Sequence, residues 1–125
     1  MNDAGIPYEC LNLQARKILE AWGMPADLSA VTADLMCQAD LMGIDSHGIS
    51  MLPTYETKLR EGTLKITAVP AIVKRQGATA LVDAGAGLGH PAGALAMRTA
   101  IELAGSFGVG VAVVFNSHHF GAAGA

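Results

Sequence analysis

The spacing of apolar positions divides the 125-residue chain into a helical first half and an α/β second half. Leu11, Ala15, Ile18, Leu19 and Trp22 recur at intervals of three and four, which predicts an amphipathic helix, and Gly23 followed by Pro25 supplies its stop. Leu28, Val31, Leu35, Ala39 and Met42 repeat the pattern on a second helix that ends at Gly43. A polar break, Ile44-Asp45-Ser46-His47-Gly48, precedes a third helix marked by Leu52, Tyr55 and Leu59 and ending near Gly62. Pro53 must lie in the first turn of that helix, where its missing N–H costs least, and Asp45 or Ser46 is expected to cap the start. Beyond Thr63, Ala71-Ile72-Val73-Lys74 and Ala80-Leu81-Val82 read as short strands and Gly85 to Gly89 as a loop. Pro91 suits the first turn of a helix that Met97, Ile101 and Ala104 continue to Gly108. Val109 to Phe115 is a near-continuous apolar strand, the kind buried on both faces of an α/β sheet. Asn116 to Gly121 follows at its carboxyl end, where open α/β sheets gather ligands. Residues 1–62 are thus expected to form a helical domain and 63–125 to belong to an α/β domain.

Composition sharpens the division. Hydrophobic residues make up 51% of the chain and charged residues 15%, against about 25% charged in an ordinary domain. Nine acids and four bases fall in residues 1–62, whereas residues 76–125 hold only Asp83, Glu102 and Arg98. A half so poor in charge is expected to be buried against something further. The sequence stops on Gly121-Ala122-Ala123-Gly124-Ala125, in what reads as the middle of an element, and a continuation is expected. The net charge of −3 and the lack of a basic cluster argue against nucleic acid. No apolar run reaches the roughly 18 residues of a membrane span, and no secretory leader is expected. Cys10 and Cys37, without a CxxC pair, fit a reducing cytoplasm better than a disulfide scaffold or a structural zinc site.

Three segments carry candidate chemistry. Gly87-Leu88-Gly89-His90-Pro91-Ala92 matches GxGxxA between a strand and a helix, and reads either as a phosphate-binding dinucleotide fingerprint or as a plain tight turn. Pro91 removes one N–H donor, and Asn116 stands where an acid would end the following strand. Asp45-Ser46-His47 cannot form an in-line relay from adjacent positions. His47 alone, with Ser46 as a hydrogen-bond partner, is a candidate proton donor and acceptor, or else part of a polar cap on the surface. In His118-His119 the two side chains should diverge, and no nearby carboxylate completes a metal set. A single histidine facing a substrate is the functional reading there, and a partly buried, satisfied histidine the structural one. His90 has nothing beyond its helix-start position.

Gly43-Ile44-Asp45-Ser46-His47-Gly48, with Pro53 and Tyr55 after it, resembles the "G-x-x-S-H-G … P-x-Y" signature of the malate/L-lactate dehydrogenase family, which lacks a Rossmann domain. Gly87-Leu88-Gly89, Ala96-Met97, Ala100-Ile101, Gly108-Val109-Gly110 and Asn116 to Gly124 are similar to the same family's later motifs, in order. The family includes ureidoglycolate and sulfolactate dehydrogenases, diketogulonate reductase and piperideine-carboxylate reductase, and the chain looks like its N-terminal third. The resemblance implies a sulfolactate dehydrogenase-like, mixed-sheet fold and reversible hydride transfer between NAD or NADP and a small 2-oxo acid or imine. Carried over by position, His47 would be the general acid/base and Ser46 its relay partner. His119 would be catalytic and, with Phe120 and Gly121, lie against the nicotinamide, while Tyr55 would belong to the substrate pocket. Most nucleotide contacts, and the acid that polarises the histidine, would lie downstream. Met51 stands where many members have an arginine for the substrate carboxylate, and His90 where a glutamine is common. A homodimer is implied as well. An inactive fragment or interaction module without cofactor binding, and a Rossmann nucleotide-binding protein using Gly87 and Gly89, are the alternative readings.

Overall fold

The computed structural model describes residues 5–125. Helices α1 (Tyr8–Ala21), α2 (Ala26–Leu41) and α3 (Leu52–Arg60) come first. Strands β1 (Ala71–Gln76) and β2 (Thr79–Asp83), the long helix α4 (Gly89–Phe107) and strand β3 (Val111–Phe115) follow. The sheet order is β1-β2-β3. β1 and β2 form an antiparallel hairpin with a register irregularity between Ile72 and Lys74. β2 and β3 run parallel, with Thr79 opposite Val111 and Asp83 opposite Phe115. A parallel pair needs a crossover connection, which α4 provides. The architecture is therefore a helical part followed by a small mixed sheet. Its principal core joins the two: Ala15, Leu19, Met24, Ala33, Met36 and Tyr55 pack in one cluster with Leu64, Ile66 and Leu88. Among the described residues no helix is long and apolar enough to cross a membrane.

Four expectations need correction, each because packing overrides local pattern. The buried face of α2 is Ser29, Thr32, Ala33, Met36, Cys37 and Ala39. Of the predicted core positions only Ala39 is buried; Leu28, Val31 and Leu35 are half-buried and Met42 is exposed. α2 touches both α1 and α4, and small residues with self-satisfied hydroxyls allow that close approach. Thr32 Oγ1 donates to the Leu28 carbonyl at 2.8 Å, and Ser29 Oγ lies 2.9 Å from both Glu20 Oε1 and the Ala26 carbonyl. Burial therefore orphans neither hydroxyl.

On α4 the inward residues include Ala92, Ala96, Thr99 and Leu103, whereas Met97 and Ile101 are 63% and 64% exposed. β3 is likewise not buried on both faces. Among the described residues it is an edge strand with α4 on one face, so Ala112 and Val114 are half-buried while Val111, Val113 and Phe115 stay exposed. The charge-poor half thus presents open apolar faces on both elements. Neither Asp45 nor Ser46 caps α3. Asp45–His47 and Ile49–Met51 each form a 3₁₀ turn, Met51 precedes the helix without a side-chain cap, and Pro53 sits in its first turn.

Candidate active site

His47 reaches its place because α2 is stopped abruptly and the following turn is clamped from behind. Gly43 takes φ +74°, its N–H bonds the Asp40 carbonyl at 3.0 Å, and Ile44 N–H bonds the Ala39 carbonyl at 2.9 Å. A left-handed residue closing a helix is glycine's usual post. Asp40 Oδ2 then accepts the Ile49 N–H at 3.0 Å, and Gly48 lies so close to this carboxylate that a Cβ there would overlap it. One α2 side chain therefore fixes the turn that presents His47. The imidazole is half-buried, with Ser46 Oγ 2.8 Å from its Nδ1.

The second wall extends the parallel β2–β3 pairing beyond the strands. Ala84 N–H bonds the Phe115 carbonyl at 3.1 Å, Ala86 N–H that of Asn116 at 2.8 Å, His118 N–H that of Gly87 at 2.9 Å, and Gly89 N–H that of His119 at 2.9 Å. Asp83 Oδ1 ties the two segments together, accepting from Gly85 N–H at 2.8 Å and Asn116 Nδ2 at 3.1 Å. This approach leaves no room at Gly89, where a Cβ would stand 2.6 Å from Phe120 Cβ and 2.7 Å from the His118 carbonyl oxygen. Gly89→Ala is therefore expected to cost up to about 3 kcal/mol of stability in chemical denaturation. Gly93→Ala, one turn on and with nothing within 4 Å of the added carbon, should cost none. Equal losses for the two would show that the tight loop contact is not what the glycine serves.

These two walls bring together side chains from four elements. The His47 and His119 ring centroids are 5.3 Å apart. Tyr55 Oη, from α3, lies 2.8 Å from His119 Nδ1, and the Gly121 N–H donates to the same nitrogen at 3.3 Å. His90, from the first turn of α4, meets Tyr55 edge-on at 6.0 Å and His119 at 6.3 Å. Phe120 stacks on His119, with centroids 6.4 Å apart and planes 28° from parallel. His118 turns away, its Nε2 2.9 Å from the Thr63 carbonyl oxygen, so the adjacent histidines diverge. Among the described residues no three histidine, cysteine or acidic side chains are grouped to hold a metal ion.

Burial sets the protonation of the cluster. Tyr55 is 2% exposed, and desolvation pushes its hydroxyl above the ordinary value. His119 is held below the usual imidazole range, first by burial and then by the neighbouring His47. His90 is 1% exposed and pushed down to about 3, by burial and secondarily by His119. Among the described residues, neither His90 ring nitrogen has a hydrogen-bond partner. Its significance is invisible in the sequence, where only the helix-start position could have flagged it. Tyr55 stands against His119 with its hydroxyl engaged at the Nδ1 nitrogen. Met51 is half-buried against the principal core. A cavity of about 540 Å³ is lined by His90, Leu35, Met97, Arg98 and Phe120 among others; neither His47 nor His119 borders it.

The GxGxxA turn does not form an open phosphate cradle. Gly87 N–H bonds the Ala84 carbonyl at 3.0 Å, Gly89 N–H is spent on His119, and Pro91 has no N–H to offer. A family model described as malate/L-lactate dehydrogenase matches residues 6–125. The chain belongs to the malate/L-lactate dehydrogenase family. It is 42% identical over 107 residues to L-sulfolactate dehydrogenase of Methanocaldococcus jannaschii, covering 86% of this chain and 31% of that protein. It is 40% identical over 107 residues to (2R)-3-sulfolactate dehydrogenase (NADP(+)) of Chromohalobacter salexigens, covering 86% and 32%. The solved sulfolactate dehydrogenase structure from M. jannaschii superposes with a TM-score of 0.90 at 39% identity, over 95% of this chain and 35% of that one. The chain thus spans about a third of the length of these malate/L-lactate dehydrogenase relatives. Membership in this family sets aside the Rossmann reading of Gly87 and Gly89.

Proposed function

We propose that this chain carries the proton-transfer side of a nicotinamide-dependent dehydrogenase that interconverts a small 2-oxo acid and its 2-hydroxy acid. The observation that carries the reading is the convergence of His47 and His119, 5.3 Å apart, from two turns remote in sequence. The NADP(+) in the name of the Chromohalobacter relative supports a nicotinamide cofactor, NAD or NADP. The local surface fits one: the Phe120 ring is 56% exposed, stacks on His119, and is followed by Gly121, which has no side chain to obstruct a flat ring. The engagement of the Gly87 and Gly89 N–H groups supports a reading in which the cofactor phosphates are held elsewhere.

Phe120 and Gly121 would hold the reduced nicotinamide, whose chemistry there would be donation of a hydride to the substrate carbonyl carbon. His47 supplies the proton that the carbonyl oxygen then requires, and takes it back in the oxidative direction. Ser46, bonded to Nδ1, orients the ring so that Nε2 serves the oxygen. His119 borders the same oxygen from the opposite wall. Hydrogen-bond donors at a developing alkoxide lower the barrier most where water is excluded. In this reading residues 1–62 provide the proton donor, and residues 63–125 open the cofactor- and substrate-binding part. The open apolar faces of α4 and β3 suit a homodimer or a further layer of the same protein, and two free cysteines suit a cytoplasmic setting.

A second reading, an inert fragment without cofactor binding, draws on the one-third span. Titration of NADH and NADPH fluorescence with the chain, followed by consumption of the reduced nicotinamide with pyruvate, oxaloacetate and 3-sulfopyruvate, separates the two. Oxo-acid-dependent consumption is expected. Absence of both binding and consumption would sink the dehydrogenase reading for this chain and leave the inert fragment.

A further inference from the structure

We propose that Tyr55 and the Gly121 backbone lock His119 in the neutral tautomer with its proton on Nε2, making it a fixed hydrogen-bond donor to the substrate oxygen and leaving proton transfer to His47. This rests on the dehydrogenase reading for the identity of the oxygen, but the tautomer itself follows from geometry. A neutral imidazole has one N–H donor and one lone-pair nitrogen, and the partners of each nitrogen decide which is which. Gly121 N–H has no choice of role: it can only donate, and it points at His119 Nδ1 from 3.3 Å. Gly121 is itself buried, so a proton on Nδ1 would leave a buried backbone donor facing another hydrogen. Nδ1 is therefore the lone-pair nitrogen. The Tyr55 hydroxyl, 2.8 Å from the same atom, must then donate to it as well. Burial keeps that hydroxyl protonated and able to do so.

With Nδ1 occupied from behind by two donors, the ring proton is on Nε2. Hydrogen bonds into the lone pair stabilise the neutral ring, and the surroundings discourage a charge in the same direction. His47 on its 3₁₀ turn stands 5.3 Å away, and two cations at that distance repel. Among the described residues, Tyr55 on α3, the neutral, buried His90 on α4 and the Phe120 ring also face it, and none of them supplies a negative charge. Tyr55 is accordingly a positioning residue: it touches His119, and acts on the reaction only through it.

Nitrogen-15 NMR of the imidazoles reads the tautomer directly and needs no activity. The four histidines of the chain are distinguished by loss of one spin system in His119→Gln. At neutral pH the His119 signals are expected to show a lone-pair Nδ1 and a protonated Nε2. Tyr55→Phe, which keeps the ring in the core, should raise the midpoint of the His119 titration and mix the second tautomer in. A protonated Nδ1, or a charged ring at neutral pH in the parent chain, overturns the proposal whatever the activity assays give. An unaltered His119 titration and tautomer in folded Tyr55→Phe overturns the part given to Tyr55. Loss of nicotinamide turnover with the tautomer as stated would instead count against the dehydrogenase reading.

Discussion

His47→Ala is expected to lower reduction of the 2-oxo acid by about 10²–10⁴-fold, the usual loss when a general acid is removed, with affinity for the reduced nicotinamide little changed. The size of the effect follows from the lack of a substitute within the cluster. His90 is buried with its proton affinity depressed to about 3, so it does not hold a transferable proton near neutrality. His119 is itself held below the ordinary imidazole range and has its Nδ1 occupied by Tyr55 and Gly121. The Tyr55 hydroxyl is 2% exposed and turned toward His119. His47 combines partial exposure with a ring nitrogen not taken up by Ser46. Steady-state kinetics should place the loss in kcat and not in KM for the cofactor. Retention of parental turnover would remove His47 from the reaction.

The contrast between His47 and His90 shows which parts of the site a sequence can disclose. His47 sits in a short polar break between two periodic stretches, and His119 at the end of an apolar strand, so both stand out against their surroundings. The clustering of family motifs around them gave those positions a chemical context. His90, by contrast, follows a glycine-rich loop inside a helix start, where nothing in the local pattern distinguishes a buried ring from a surface one. Its burial arises from three segments meeting: the α4 start, Tyr55 on α3, and Gly121, whose missing Cβ would have stood 2.9 Å from His90 Nε2. The same limit applies to the helices. Spacing located α2 correctly but misjudged its buried face, because Ser29 and Thr32 satisfy their hydroxyls locally and so pass as core residues. β3 was legible as an apolar strand, yet whether such a strand is covered on one face or two depends on elements its own sequence does not describe. The 3₁₀ turns at Asp45–His47 and Ile49–Met51 escape local reading for a similar reason, since Asp40 on α2 holds them in place.

Lowering the pH from about 7 to about 4 is expected to destabilise the fold through His90, by about 1.4 kcal/mol per pH unit once below the ordinary histidine range. The sign follows from the direction of the shift. His90 titrates near 6.5 when unfolded and near 3 when folded, so between these values the unfolded chain binds a proton that the native chain refuses. Stability is thus fully present above about 6.5, declines as the pH falls, and levels off only near 3. His119, also shifted downward, adds in the same sense. The cause is burial first and the neighbouring His119 second, since charging the ring would place a desolvated cation where, among the described residues, neither nitrogen has a hydrogen-bond partner. Urea denaturation of the parent chain and His90→Gln at several pH values isolates this contribution, because an amide of comparable polarity does not titrate. The parent should lose about 3 kcal/mol more than the variant between pH 6.5 and pH 4. Parallel stability profiles would mean that the native ring accepts a proton as readily as the unfolded one, and that a polar partner reaches His90 in solution.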